Sequence, residues 1–227
     1  VLPALCAAQG ASRIVSHEET GNAWTFARDE RVRAWVRASG VLWEELPHAG
    51  VVRRLPQREG WAARRESWMR SPQIAAPVAV QGIAADTERL PAAAELGMAP
   101  DPCPARQTGG RAQGLSLLGG FLTTRGRTYR KAMSSPIDGE WACSRLSAHF
   151  AVGSLSTREA GQAAAVRKQE AKGTRAGWAG AMQSFQARLA WRDHFMQKLE
   201  DEPEIEQRCL HSAYEYLRPR EADAARL

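Results

Sequence analysis

Trp141-Ala-Cys-Ser-Arg-Leu-Ser-Ala-His-Phe-Ala-Val-Gly-Ser-Leu-Ser156 gathers Cys143, Ser144 and Ser147 within about one helical turn, just after Gly139. Apolar Leu146, Phe150 and Val152 lie beside them. Hydroxyls and free backbone N–H groups at a helix start form an anion site, and Arg145 adds positive charge. A diphosphate suits such a site. Plain N-capping by Ser144 suits the same residues, because serine is a preferred N-cap. The residues alone leave both readings open.

Downstream the pattern is helical. Ser156-Thr-Arg-Glu159 fits a capping box, with a helix running on through 162–172. Residues 178–200 carry Trp178, Met182, Phe185, Leu189, Met196 and Leu199 mostly at three- and four-residue steps, the spacing of a helix core face. Pro203 ends that segment, and 204–227 reads as a further charged helix. Upstream, 114–129 has Leu115, Leu118, Phe121 and Leu122 at helical spacing. Residues 71–110 hold six prolines (72, 77, 91, 100, 102 and 104) and no clear period, so they read as a linker. Before them, 12–17 reads as a short buried strand, 24–39 as a helix stopped by Gly40, and 41–46 as a second strand. Strand, helix, strand predicts a βαβ unit and a parallel sheet. One such unit is too small a sheet to stand alone, so earlier strands are expected to be missing.

Composition bounds the function classes. At 227 residues, 44% hydrophobic and 25% charged, the chain can bury a core as one large domain or two small ones. It has no apolar run of about 18 residues, so no membrane-spanning helix is expected, and a cytoplasmic location is. The apolar start, Val1 to Ala8, lacks a basic leader, which argues against a signal peptide. With no initiating Met, it fits a processed start or a fragment. Cys6, Cys103, Cys143 and Cys209 form no CxxC pair, and no His pair has zinc spacing, so reduced thiols and no metal are expected. His17 beside Glu18 and Glu19 reads as a structural or solvent-facing histidine. Ser16, Ser134 and Ser135 lie in no Gly-x-Ser-x-Gly elbow, so a serine hydrolase has no support.

The net charge is +6, and of 31 basic residues only Lys131, Lys168, Lys172 and Lys198 are lysines. A basic balance suits a binder of the DNA backbone, and an Arg- and Ala-rich composition equally suits a GC-rich genome. The basic run Arg53–Arg70 reads as a solvated helix face.

Residues 141–156 resemble the photolyase/cryptochrome run Thr-Ser-x-Leu-Ser-x-Tyr-Leu-x-x-Gly-x-Leu-Ser. Ser144, Leu146, Ser147, Gly153, Leu155 and Ser156 match it, and Cys143 stands in place of Thr. Gly109-Gly-Arg-Ala-Gln-Gly-Leu115 with Phe121-Leu122 is similar to the stretch that opens the family's flavin domain, Arg111 replacing a Glu. Tyr129, seven residues before Pro136, sits where the family has a flavin-contacting Tyr, and the gap from Pro136 to the diphosphate run is about two residues longer than the family's. Trp191-Arg-Asp-His-Phe195 resembles Trp-Arg-Glu-Phe on the long helix, and 16–29 resembles the late antenna domain.

The resemblance implies a parallel-sheet α/β antenna domain followed by a mainly α, all-helical FAD-binding domain, incomplete at both ends. The domains it implies are 1–55, the end of a Rossmann-like antenna domain; 56–108, a linker; and 109–227, the first part of the FAD-binding domain. Tyr129, Cys143, Ser144, Arg145, Leu146, Ser147 and Phe185 would line FAD, Arg192 would neutralise a flavin phosphate, and Arg188 and Trp191 would meet the lesion. The implied activity is light-driven repair of pyrimidine dimers in DNA, a carbon–carbon lyase reaction of the parent protein, working as a monomer. No catalytic residue falls in this chain, a second antenna chromophore is left open, and half of the flavin cup is expected to be absent. Arg188 departs from the Glu that many photolyases carry, and an Arg cannot accept a hydrogen bond. A cryptochrome-like photoreceptor, or a fragment without cofactor, is therefore the alternative.

Overall fold

The computed structural model describes residues 1–83, 89–100, 102–174, 176–215 and 217. They fall into two compact units, Val1–Arg70 with Gln186–Leu227, and Ser71–Phe185. No helix among the described residues is long and apolar enough to cross a membrane.

The first unit contains α1 (Leu2–Gln9), β1 (Arg13–His17), α2 (Ala23–Ser39), β2 (Leu42–Leu46), α3 (Trp61–Arg70) and the later part of α9 (Trp178–Asp201). The expected strand–helix–strand order is found. Asn22 starts α2 by accepting from the Thr25 amide at 3.2 Å. Gly40 ends it at φ 72°, where a side chain would be strained. β1 and β2 pair in parallel, from Arg13 opposite Leu42 to His17 opposite Leu46.

Side chains alternate across the two faces of this sheet. One face carries Ile14, Ser16, Trp43 and Glu45. There the Trp43 indole donates to Ser16 Oγ at 3.0 Å, and Arg33 of α2 lies 5.5 Å from the Trp43 ring. The other face carries Val15, Leu42 and Leu46, all exposed, together with an Arg13–Glu44 ion pair. The 12–17 strand is thus half-exposed, not buried, because α2 sits over one face only.

The basic run also differs from its reading as a solvated face. Arg53 reaches Asp29 at 3.3 Å, Glu45 at 3.0 Å and Glu200 at 3.8 Å. Arg65, on α3, is buried with its Nε 2.7 Å from Asp193. A Cβ at Gly50 would lie 2.5 Å from the Arg65 side chain, so this pairing needs a glycine there. Gln197 accepts from the Val52 amide at 2.7 Å and donates to the Val52 carbonyl at 2.9 Å.

The expected C-terminal helix over 204–227 is replaced by short 3-10 turns at Pro203–Glu206 and Ser212–Tyr214. Residues 216 and 218–227 lie outside the described residues. Nearly every described side chain in 204–215 is exposed, so little packing repays helix nucleation.

The second unit is helical: α4 (Arg111–Thr123), α5 (Tyr129–Ala132), α6 (Asp138–Ala142), α7 (Ser147–Ala151), α8 (Thr157–Glu170) and the start of α9. Its core holds Phe121, Leu146, Leu155, Ala160, Ala164 and Met182, each at most 1% exposed. The single helix expected over 114–129 is broken. α4 stops at Thr123, a 3-10 turn covers Arg125–Thr128, and α5 follows. The turn brings Gly126 so close to Phe121 that a Cβ there would meet the Phe121 carbonyl oxygen at 2.5 Å, so the turn as formed requires glycine at this position. α8 starts with the expected capping box. Ser156 Oγ accepts from the Glu159 amide at 3.1 Å, and Glu159 accepts from the Ser156 amide at 3.0 Å. Within the proline-rich stretch the one turn of helix among the described residues is a 3-10 turn at Ala93–Leu96.

Candidate functional site

The loop between α6 and α7 is fixed from one side. Arg125 donates to the carbonyls of Cys143 at 2.5 Å, Ser144 at 3.3 Å and Leu117 at 2.8 Å. Gln107 donates to the Arg145 carbonyl at 2.9 Å. No peptide here is cis, so the amides of Ser144, Arg145 and Leu146 point away from these donors. Arg145 has φ 61°, and Leu146 follows at φ −94°, ψ −6°. A left-handed residue followed by a right-handed one turns successive N–H groups towards a common point, a concavity that suits an anion.

Ser144 does not cap α7: Leu146 holds the N-cap position, with no side-chain hydrogen bond. The extended backbone at Cys143 (ψ 157°) and the turn at Arg145 set Ser144 two residues too early. Cys143 and Ser144 are half-buried, Arg145 and Ser147 are exposed, and Leu146 is buried. The Arg125 guanidinium binds its proton less tightly than usual, first because of burial and then because of the Arg145 charge.

The aromatic residues of the expected flavin wall turn inward. Tyr129 and Phe185 are 7% and 3% exposed. With Phe121 they form an aromatic cluster, at centroid distances of 5.4 Å (Phe121–Tyr129), 4.8 Å (Phe121–Phe185) and 6.0 Å (Tyr129–Phe185).

Arg188, Trp191 and Arg192 belong to the first unit. The Trp191 indole is exposed, with Arg188 5.3 Å from its ring and exposed Phe195 at 5.9 Å. Arg192 donates to Asp193 Oδ1 at 3.4 Å. The buried side of α9 continues from Leu189 through Asp193 and Gln197, at four-residue steps. Sequence reading missed these two polar residues. Their spacing from Leu189 was the available signal, but it was masked by the apolar residues nearby.

His48 is a further group that the sequence did not single out. Its ring lies 5.8 Å from His17. Burial, then the Arg192 and His17 charges, push its pKa below the ordinary 6.5, with Glu19 and Asp193 opposing. A lowered folded pKa means that the folded state prefers neutral His48. Its contribution to stability is full above about pH 6.5 and is lost as the pH falls from there through the folded value. Thermal melting from about pH 7.5 to about pH 5.5 is expected to show a smaller loss of midpoint in His48→Gln than in the native chain. An equal loss in both would remove His48 as the cause.

No protein-family profile matches the chain, and no curated protein matches it. Among solved structures, a bacterial class III photolyase from Agrobacterium tumefaciens is similar, with a TM-score of 0.71 and 18% identity. The match covers 99% of this chain and 48% of that chain, so this chain spans about half the length of the photolyase. At 18% identity the likeness speaks for fold alone, and it establishes that nearly all of this chain has a photolyase-like fold.

Proposed function

We propose that the chain is part of a photolyase-type flavoprotein, whose whole performs light-driven, FAD-dependent repair of pyrimidine dimers in DNA. In this reading 1–55 closes an antenna domain, 56–108 links, and 109–227 opens the FAD-binding domain. The observation that carries it is the 143–147 loop, where Arg125 and Gln107 occupy the carbonyls and leave amides for a diphosphate. Cys143, Ser144, Arg145, Leu146 and Ser147 would hold that group through backbone amides and hydroxyls. Arg192 would answer a phosphate charge, and Trp191 with Arg188 would stack on an extruded base. Tyr129 and Phe185 fit less well: buried against Phe121, they would support the site from behind. FAD, once bound, supplies the light absorption and electron transfer, and the chain positions it.

The chain is expected to lose FAD during purification, since it spans 48% of the photolyase it matches, yet to bind added FAD reversibly, with ADP competing through the shared diphosphate. Flavin fluorescence titration reads both. Stoichiometric flavin carried through purification would contradict the first expectation, and no binding of FAD or ADP would remove the site. A longer parent protein that binds FAD and fails to restore dimer-containing DNA under blue light would end the repair reading. Arg188 beside Trp191 favours one second reading, a cryptochrome-like photoreceptor. Light-dependent partner binding without repair is its signature.

A further inference from the structure

A surface recess of about 530 Å³ lies in the second unit, lined by Arg125, Thr128, Lys131, Ala132, Asp138, Trp141 and Ala142. It adjoins the side of Arg125, which also grips the carbonyl face of the 143–144 loop. None of the loop residues 143–147 lines the recess.

Asp138 stands in the first turn of α6 and Lys131 in the last turn of α5, where their charges suit the helix ends and their heads stay in solvent; the Trp141 indole has no such placement. Trp141 is 71% exposed and makes no ring or cation contact among the described residues. Lys131 and Asp138 form no ion pair among those residues. Arg125, by contrast, is committed to three carbonyls.

We propose that this recess binds a nucleotide, with its base stacked on the Trp141 indole. Stacking on an exposed aromatic is a general way to hold any base, because every base has a π-face. The Lys131 ammonium is the cation left to meet the phosphate. The Asp138 carboxylate only accepts hydrogen bonds when ionised, so it suits a base N–H or a sugar hydroxyl. A bare phosphate has no base to stack on Trp141, which separates this ligand from an inorganic anion. The chemistry serves equally a free mononucleotide or one unit of a DNA strand.

The test uses the full 227-residue chain with two probes, a fluorescent derivative of 2′-deoxyadenosine 5′-monophosphate and a labelled oligothymidine. Fluorescence anisotropy is read for the native chain, Trp141→Ala and Lys131→Gln. Both side chains are exposed, and circular dichroism checks that the variants keep the native helices. Loss of stacking should weaken binding about tenfold or more. A matching loss in both variants with the mononucleotide supports the site with a free nucleotide as ligand; the same loss confined to the oligothymidine supports it with a strand as ligand. The proposal is overturned if neither probe binds at millimolar concentration, if both variants bind as the native chain does, or if inorganic phosphate displaces the probes as well as unlabelled nucleotide does.

Discussion

Replacing Asp193 with alanine is expected to remove about 3–5 kcal/mol from the stability of the first unit, the usual cost of leaving one partner of a buried ion pair uncompensated. Asp193 is fully buried, and Arg65 is almost so, its Nε 2.7 Å away. One Arg65 nitrogen, Nη2, is already buried without a hydrogen-bond partner, so loss of Asp193 would leave more of the guanidinium unsatisfied. Burial holds the Asp193 carboxyl above the ordinary carboxylate range, although Arg65 and Arg192 pull it down. Desolvation therefore outweighs the pairing. It follows that the double substitution Arg65→Met with Asp193→Leu should recover most of the loss, since apolar replacement of a buried pair is often neutral or better. Urea denaturation followed by tryptophan fluorescence measures both. A single variant within about 0.5 kcal/mol of the native chain, the range of ordinary surface changes, would show that the pair carries no stability.

The second large effect lies in the other unit. Phe121→Ala should cost about 3–5 kcal/mol, the range for removing a buried aromatic side chain. Phe121 is fully buried and touches both Tyr129 and Phe185. Gly126 packs on its backbone and ring, so the turn cannot close over the void without moving. The loss is measured by circular dichroism during urea denaturation. Phe121→Leu should lose much less, because most of the volume is kept. Equal losses from the two would mean that ring contacts rather than filled space hold this core.

Local signals were legible in the sequence and long-range ones were not. Gly40 and the Ser156–Glu159 capping box marked helix ends because each acts within a turn of its own position. The two strands and their parallel sense followed from the strand–helix–strand order. The Arg65–Asp193 pair joins residues 128 positions apart, and no periodicity connects them. The break at 123–129 was hidden for a similar reason: helical spacing continues through it, and only the contact between Gly126 and Phe121 reveals the turn. At the candidate site, the polar run at 143–147 was read directly. The grip of Arg125 on its carbonyls was not, because an arginine 18 residues upstream carries no local mark of that task.

Among the described residues β1 and β2 each have a single neighbour in the sheet, which leaves an outer row of backbone donors and acceptors on either side. Beside those rows stand Val15, Leu42 and Leu46, uncovered. Such edges act as templates on which another extended strand can add. The Arg13–Glu44 pair on the same face is the natural brake, since a charged pair resists being stacked against a second apolar sheet. Removing that one pair would bare the face and ease the addition of a further strand.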